Sequence, residues 1–128
     1  GWKNPQQDSL KPLLKETIRQ LEAYFNGTLT FFDLPLRPSG TSFQKRVCRQ
    51  ILKIPYGETR TYGDIAIHLK TNPRPVGNAC SQNQIPIIIP CHRILRRSGI
   101  GSYSGPGGLN AKHHLLRLEG IPLTETQL

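Results

Sequence analysis

The sequence predicts a mainly α-helical protein that contains a helix-turn-helix. Apolar residues recur at intervals of three and four in five short segments, and residues suited to helix capping precede several of them. The 12 glycines and 11 prolines separate these segments within a chain of 128 residues, the length of one compact domain. The longest apolar run, residues 85–90, is far below the roughly 20 residues that span a membrane. We therefore expect neither a membrane protein nor a multidomain enzyme.

The first helix is predicted over residues 9–26. Pro12 falls in its expected first turn, where a missing N–H is tolerated, and Gly27 suits the left-handed residue that ends a helix. Residues 29–40 contain two prolines and are expected to form an extended linker. Seven residues form one apolar stripe on this helix: Leu10, Leu13, Leu14, Ile18, Leu21, Tyr24 and Phe25.

The second helix is expected to begin at Thr41, because Thr41 and Gln44 have the spacing of a capping box. Its apolar stripe includes Cys48, which we expect to pack in the core and not to react. The sequence Pro55-Tyr56-Gly57 is expected to end it.

Two further short helices around a tight turn form the predicted helix-turn-helix. The first begins after Thr61, which forms a cap with Asp64. It ends before Asn72-Pro73, since the residue before a proline disfavours helical geometry. The second is expected over residues 75–82, with Pro75 at the first helical position.

A last helix is expected over residues 109–119, after a loop at residues 98–108 that contains five glycines. These elements divide the chain into an N-terminal helix and linker over residues 1–38, a main domain over residues 39–122, and a short tail over residues 123–128.

The positive charge of the chain is concentrated in its centre. The net charge is +9, and residues 37–117 carry 13 basic residues against two acidic ones. Such an excess is typical of a protein that binds a polyanion, because Lys and Arg contact phosphates and release counterions. Nucleic acid is the expected partner, with a merely solvated basic surface as the alternative.

The three cysteines, Cys48, Cys80 and Cys91, cannot all pair within one chain, and none has the spacing of a zinc site. We therefore expect a free thiol, no metal and no secreted disulfide scaffold. The N-terminal residues show no signal sequence, which predicts a location in the cytoplasm, with its nucleoid, or in the nucleus. Because the chain has no methionine, further sequence is expected upstream of Gly1.

The segment at residues 83–93 is the strongest candidate for chemistry. It ends in Pro90-Cys91-His92-Arg93, so that an apolar run leads to a cysteine next to a histidine and an arginine. Cationic or histidine-containing surroundings lower the pKa of a thiol from about 8.5 and make it a nucleophile. The alternative is an unreactive cysteine at the end of a buried strand.

Several segments occur in an order and spacing that point to one family: Gly40-Thr41-Ser42-Phe43-Gln44, Ile54-Pro55-Tyr56-Gly57-Glu58-Thr59, Thr61-Tyr62-Gly63-Asp64-Ile65-Ala66, Arg74-Pro75-Val76-Gly77-Asn78-Ala79, Ile89-Pro90-Cys91-His92-Arg93-Ile94, Tyr103-Ser104-Gly105 and Leu115-Leu116-Arg117-Leu118-Glu119-Gly120. Over about residues 21–122 the chain resembles the O6-alkylguanine-DNA alkyltransferases, also called methylated-DNA–protein-cysteine methyltransferases. The resemblance implies a winged-helix-like domain with a short hairpin, and the family's N-terminal sheet subdomain is expected to be absent or truncated.

The resemblance also implies DNA repair by direct damage reversal. The alkyl group of O6-alkylguanine, or of O4-alkylthymine, would pass irreversibly to Cys91, without a cofactor and once per molecule. His92 would be the base, acting through a water, and Glu119 would hold its imidazole. Asn83 would hydrogen-bond near the thiol, and Tyr62 would protonate the departing guanine and help to rotate the nucleotide.

The partner implied is double-stranded DNA that contains O6-alkylguanine, bound by a monomer, with cooperative binding left open. Arg74 would be the arginine finger that fills the space of the everted base. The small residues Gly77 and Ala79 would allow close approach to the minor groove. Further residues are implied as DNA-backbone contacts or as pocket lining: Gln44, Asn72, Arg97, Pro86, Tyr103 and Ser104.

The sequence departs from the family pattern at two places. The turn between Leu69 and Arg74 is about two residues short, with Pro75 in place of the usual alanine, and the loop at residues 105–108 is longer than usual. Two other functions stay open. One is a module that only marks lesions, but such relatives carry Trp where this chain has Cys91. The other is a Cys-His-Glu hydrolase, which would need an oxyanion hole.

Overall fold

The computed structural model describes residues 5–97, 99, 101, 103, 105 and 107–122, with side chains from residue 11 onward. Ser104 and the predicted tail over residues 123–128 lie outside the described residues. The predicted mainly α-helical class is confirmed, and none of the described helices is long and apolar enough to cross a membrane. The elements, in chain order, are α1 (Pro5–Phe25), α2 (Ser42–Leu52), β1 (Arg60–Thr61), α3 (Tyr62–Leu69), α4 (Pro73–Ser81), a 3₁₀ turn (Cys91–Arg93), β2 (Ile94–Leu95) and α5 (Gly108–Leu118).

The described residues form two compact units, one that ends at residue 35 and one that begins at residue 36. The first contains α1, which begins four residues earlier than predicted, so that Pro12 lies inside the helix and not in its first turn. Gln20 holds the segment that follows the helix, because its side chain donates to the carbonyl of Asp33 at 3.0 Å and accepts from the N–H of Asp33 at 2.9 Å.

The predicted capping box at the start of α2 is confirmed. Thr41 Oγ1 accepts from the N–H of Gln44 at 3.1 Å, and the N–H of Thr41 donates to Gln44 Oε1 at 2.9 Å. Val47 and Ile51 of this helix are buried, and the half-buried Cys48 packs against the same core, as predicted.

The predicted helix-turn-helix consists of α3, a three-residue turn and α4. Lys70 adopts the left-handed conformation (φ 56°) that stops α3, and the N–H of Thr71 donates to the carbonyl of Ala66 at 2.9 Å. The second helix begins at Pro73, two residues before the predicted start, and this corrects the expectation of a first helical position at Pro75. Asn72 is extended (φ −110°, ψ 160°), the geometry that a following proline favours, so Pro73 itself becomes the first residue of α4.

The core of the second unit lies where α2, α3 and α4 pack against one another, and the 3₁₀ turn packs against α5. The strands β1 and β2 form a short parallel pair with Arg60 opposite Ile94. Among the described residues of the predicted hairpin, Arg96 and Gly99 form an antiparallel bridge. Twelve buried residues form the main cluster: Val47, Ile51, Ile54, Ile65, Ala66, Leu69, Val76, Ala79, Cys80, Ile89, Cys91 and Ile94.

The apolar segment before Cys91 is a tight turn and not a strand. Pro86 and Ile89 form an isolated bridge, and the N–H of Ile89 donates to the carbonyl of Ile85 at 3.0 Å. Ile87 has a φ of 76°, which a β-branched residue rarely adopts. The chain is thereby folded back on itself immediately before the cysteine.

Candidate active site

Cys91 opens the 3₁₀ turn and is 5 % exposed. Asn83, just after α4, donates from Nδ2 to Cys91 Sγ at 3.1 Å and to the carbonyl of Ile89 at 3.0 Å. Its Oδ1 accepts from the N–H of Ile85 at 3.0 Å. One amide side chain therefore joins the end of the helix-turn-helix to the thiol.

Burial raises the pKa of the Cys91 thiol, while the hydrogen bond from Asn83 and the charge of Lys112 oppose that rise. This result corrects the expectation that cationic neighbours bring the thiol pKa below its usual value, because desolvation is the larger effect. The sulfur is therefore protonated at rest, and its use as a nucleophile requires a base.

His92 and Arg93 both bind the carboxylate of Glu119, and these three residues form a buried cluster, called here the Glu119 cluster. His92 Nε2 lies 2.6 Å from Glu119 Oε2. Arg93 donates to both carboxylate oxygens, from Nε at 2.8 Å and from Nη2 at 3.1 Å. All three residues are at most 6 % exposed. A buried carboxylate is tolerated only when it is paired and hydrogen-bonded, and this one is both.

Two backbone groups from the loop after α2 complete the Glu119 cluster. The N–H of Gly57 donates to Glu119 Oε1 at 3.2 Å, and Arg93 Nη1 donates to the carbonyl of Ile54 at 2.7 Å. The Arg93 guanidinium also lies 5.8 Å from the centre of the Tyr56 ring. Arg93 is thus committed to Glu119 and to the loop, although its position in the sequence pointed to the thiol.

Burial lowers the pKa of His92, and the hydrogen bond and charge of Glu119 oppose that shift. The imidazole is accordingly neutral at rest and can accept a proton, with the carboxylate placed to stabilise the resulting cation.

Lys112 is a functional candidate that the sequence reasoning missed. It is fully buried on α5, and its Nζ donates to the carbonyl of Ile94 at 2.7 Å. Burial lowers its pKa to about 8, while the neighbouring cysteines Cys91 and Cys80 favour the charged form. A signal was available, because Lys112 shares a helical face with the apolar Leu115 and Leu116, where a lysine is rare without a partner.

A second region, called here the Tyr62 cavity, opens beside the helix-turn-helix. It has a volume of about 390 Å³, and Tyr62, Arg74, Gly77 and Arg96 are among the residues that line it. A Cβ atom on Gly77 would lie 3.9 Å from Cε1 of Tyr62, so the helix α4 passes close to the ring. The structure thus brings three of the predicted DNA-contacting residues together and adds Arg96, which was not predicted.

The structure places other predicted DNA contacts elsewhere. Ala79 is 8 % exposed and belongs to the apolar core, so of the two small residues of α4 only Gly77 lines the Tyr62 cavity. Gln44 uses its side-chain oxygen in the cap of α2. Asn72 is exposed at the start of α4 and forms no side-chain cap. Arg97 is exposed in the turn after β2.

The predicted pocket residues are also separated. Pro86 lies in the tight turn before Cys91. Tyr103 packs against the core cluster that contains Cys91, and burial raises its pKa to about 12. A Cβ atom on Gly105 would collide with the end of the Tyr103 side chain, so a larger residue there would move the tyrosine. Neither Pro86 nor Tyr103 lines the Tyr62 cavity.

Comparison with known proteins identifies the family. A family model for the DNA-binding domain of 6-O-methylguanine DNA methyltransferase matches residues 42–121. The methylated-DNA–protein-cysteine methyltransferase of Archaeoglobus fulgidus is 46 % identical over 110 residues, which cover 83 % of this chain and 75 % of that protein. The protein of the same name from Methanosarcina acetivorans is 51 % identical over 83 % of this chain and 69 % of its own length.

Solved structures agree with the sequence comparison. The chain is similar to the Mycobacterium tuberculosis OGT in complex with DNA, with a TM-score of 0.78 and 48 % identity over 82 % of this chain. It spans 65 % of that structure's chain. It is also similar to the Schizosaccharomyces pombe Atl1 in complex with damaged DNA containing O6-carboxymethylguanine, with a TM-score of 0.57 and 28 % identity over 66 % of this chain and 81 % of that one. The predicted resemblance is confirmed: the chain belongs to the methylated-DNA–protein-cysteine methyltransferases, a family of DNA alkyl-damage repair enzymes with a cysteine acceptor.

Proposed function

We propose that Cys91 accepts the alkyl group of O6-alkylguanine in duplex DNA and is consumed in a single turnover. One observation carries this assignment. A buried thiol that Asn83 already hydrogen-bonds is followed directly by a histidine whose ring is bound to a buried carboxylate, Glu119. Nucleophile, base and orienting group therefore occupy one short turn and the end of α5.

In the proposed step, Cys91 Sγ attacks the alkyl carbon in line with the bond to guanine O6. The S–C bond forms while the C–O6 bond breaks, and its electron pair returns to the purine. The thiol proton passes through a bridging water to His92, and Tyr62 gives a proton to the departing guanine. Exchange with solvent then removes the proton from His92 and returns one to the Tyr62 phenolate. The products are a neutral thioether and unmodified guanine, so the protein is not regenerated.

Charge balance supports this route in a buried site. The Glu119–Arg93 pair is neutral, so a proton on His92 adds one positive charge to the Glu119 cluster as the sulfur gains one negative charge. Lys112 and the Asn83 amide stabilise the sulfur, which offsets part of the desolvation that raises its pKa. Such preorganised groups need no rearrangement when charge develops.

The thiol is reachable in this mechanism only by a base that leaves the duplex, at a cost of a few kcal/mol. Arg74, exposed in the first turn of α4, would occupy the space of the everted base, and Gly77 would let α4 approach the minor groove. The net charge of +9 favours binding through phosphates, and we expect affinity nearly independent of sequence and strongly reduced by salt.

O4-alkylthymine is proposed as a second substrate, because its alkyl carbon is likewise bound to an exocyclic oxygen that becomes a carbonyl on departure. The partner is then genomic DNA, which assigns the protein to the nucleoid or the nucleus.

The test is the intact mass of the protein after incubation with a duplex that contains one O6-methylguanine. We expect a stoichiometric gain of one methylene equivalent, which Cys91→Ser abolishes. Cys48→Ser is the matched control, since that thiol is half-buried on α2 and is expected to leave the gain unchanged.

Two outcomes would overturn the proposal. Binding of the lesion without any gain in mass would indicate a lesion-marking module. Repeated turnover with release of the alkyl group would indicate a hydrolase, because a thioether cannot be cleared by water as an acyl-enzyme can.

A further inference from the structure

The Tyr62 cavity contains two arginines that arrive from different parts of the fold. Arg74 comes from the first turn of α4, and Arg96 follows β2, on the segment that begins with Cys91. Both residues are exposed, and within the described part of the chain neither forms an ion pair. The proposed mechanism uses Arg74 and leaves Arg96 without a role.

Arg96 is held at one edge of the Tyr62 ring. A Cβ atom on Gly101 would lie 3.2 Å from Cγ of Arg96 and 3.5 Å from Cε2 of Tyr62. Gly101 therefore lies between the aliphatic part of the Arg96 side chain and the Tyr62 ring, close to both. The opposite edge of the ring, at Cε1, faces Gly77 of α4. The tyrosine thus stands between the helix that carries Arg74 and the segment that carries Arg96.

The backbone of Arg96 is fixed as well. Its carbonyl accepts from the N–H of Gly99 at 3.2 Å, and the two residues form the antiparallel bridge after β2. Gly101 has a φ of 79° and sits against Arg96, so a side chain there would be strained and would displace the arginine. The backbone and the first part of the Arg96 side chain are therefore positioned by Gly99 and Gly101.

The chemistry of the cavity favours an anion of phosphodiester type. No carboxylate is among its described lining residues, whereas two guanidinium groups and the polar side chains of Asn78 and Ser81 are. A guanidinium matches the oxygens of a phosphate in bidentate geometry. Because Tyr62 lines the same cavity, an anion bound there would lie next to the nucleotide that Tyr62 is proposed to rotate.

We infer that Arg96 binds a backbone phosphate that flanks the everted nucleotide and holds that nucleotide in its rotated position. This inference rests on the proposed function, since it assigns a positioning residue to that reaction. Arg74 and Arg96 then have separate roles. Arg74 fills the space that the everted base leaves, and Arg96 binds a phosphate of the strand that carries the lesion.

The experiment is a double-mutant cycle between Arg96 and the DNA. Transfer rates at subsaturating protein are measured for the wild type and Arg96→Ala, on duplexes whose phosphate 5′ or 3′ to O6-methylguanine is replaced by a neutral methylphosphonate. We expect Arg96→Ala to slow transfer about tenfold on the natural duplex, the effect of a lost charge-assisted hydrogen bond. On one of the two methylphosphonate duplexes the variant and the wild type should react at similar rates.

Two controls separate this effect from general electrostatics. Arg49→Ala removes an exposed arginine of α2 outside the Tyr62 cavity, and it should show the same rate change on all three duplexes. Arg96→Ala should react with free O6-methylguanine base at the wild-type rate, because the free base has no phosphate. For binding to duplex DNA, Arg96→Ala should also reduce the magnitude of the slope of log K, the association constant, against log salt concentration by about 0.9, the value for one phosphate contact.

Equal slowing by Arg96→Ala on all three duplexes would overturn the inference, and so would a matching loss on the free base. Neither result touches the proposed function, which depends on the mass gain of the wild-type protein. Absence of that mass gain would reject the proposed function before the cycle is measured.

Discussion

The Glu119 cluster and the Tyr62 cavity differ in how their charges are handled. In the Glu119 cluster, one carboxylate is bound by a buried imidazole, a buried guanidinium and the backbone N–H of Gly57. In the Tyr62 cavity, two exposed arginines stand without ion pairs among the described residues. The proposed chemistry is therefore assembled before DNA arrives, whereas the proposed recognition surface obtains its counterions from the DNA.

This difference predicts where substitutions act. A change in the Glu119 cluster leaves a buried charge uncompensated and affects folding as well as transfer. Loss of an arginine in the Tyr62 cavity affects only substrates that have a backbone, because these cations are solvated in the free protein.

Glu119→Gln is expected to have the largest effect. Loss of the carboxylate leaves Arg93 buried without a counterion, and we expect unfolding free energy to fall by about 3–5 kcal/mol, with slower transfer from a less stabilised His92 cation. Chemical denaturation measures the first effect and the mass assay measures the second. Glu58→Gln is the matched control, since it breaks the exposed pair with Arg60 and should cost less than about 1 kcal/mol.

Arg74→Ala is expected to slow transfer on duplex DNA by tens of fold, because the few kcal/mol needed to unpair the base are then less well offset. The same variant should react with free O6-methylguanine base at the wild-type rate and unfold at the wild-type denaturant concentration. Equal losses on duplex and free base would contradict the finger role and would place Arg74 with the chemistry.

Lys112→Met is expected to slow transfer about tenfold on duplex and free base alike, because the developing thiolate loses a stabilising positive charge. Methionine keeps the length of the side chain and removes the charge that favours the Cys91 thiolate. The rate of thiol alkylation by a small electrophile, measured against pH, should show a higher Cys91 pKa in the variant. An unchanged profile would show that Lys112 acts only by packing and by its bond to the Ile94 carbonyl.

The stability of the protein should also depend on pH through Lys112. Because burial lowers the pKa of Lys112 from 10.5 to about 8, the unfolded chain binds more protons than the folded one between these values. The free energy of unfolding should therefore increase as pH rises from about 8 toward 10.5, because of this residue. Chemical denaturation of the wild type and Lys112→Met across this pH range measures the contribution of Lys112. The free energy of unfolding of the wild type should increase with pH relative to that of the variant.

Local signals in the sequence were sufficient for most of the fold. Thr41 and Thr61 were recognised as caps because a capping box is written within four residues, and both boxes are present. The predicted start of α4 at Pro75 is wrong. Asn72-Pro73 indicates the end of α3, but a proline after an extended residue can also be the first residue of the next helix. The family could be identified because its motifs, including the one around Cys91, are contiguous segments that occur in a characteristic order and spacing.

The pairing of charges was beyond local reasoning. Arg93 contacts a carboxylate 26 residues away and a carbonyl 39 residues away, and the thiol pKa depends on burial and on Lys112, which lies on another helix. Periodicity and motifs report which residues share a face or a turn, and so they predicted the helix-turn-helix and indicated Cys91 and His92 as the candidate nucleophile and base. Desolvation and long-range contacts depend on how the elements pack, and so the protonated resting thiol, the buried lysine and the position of Arg96 beside Tyr62 emerged only once the chain was folded.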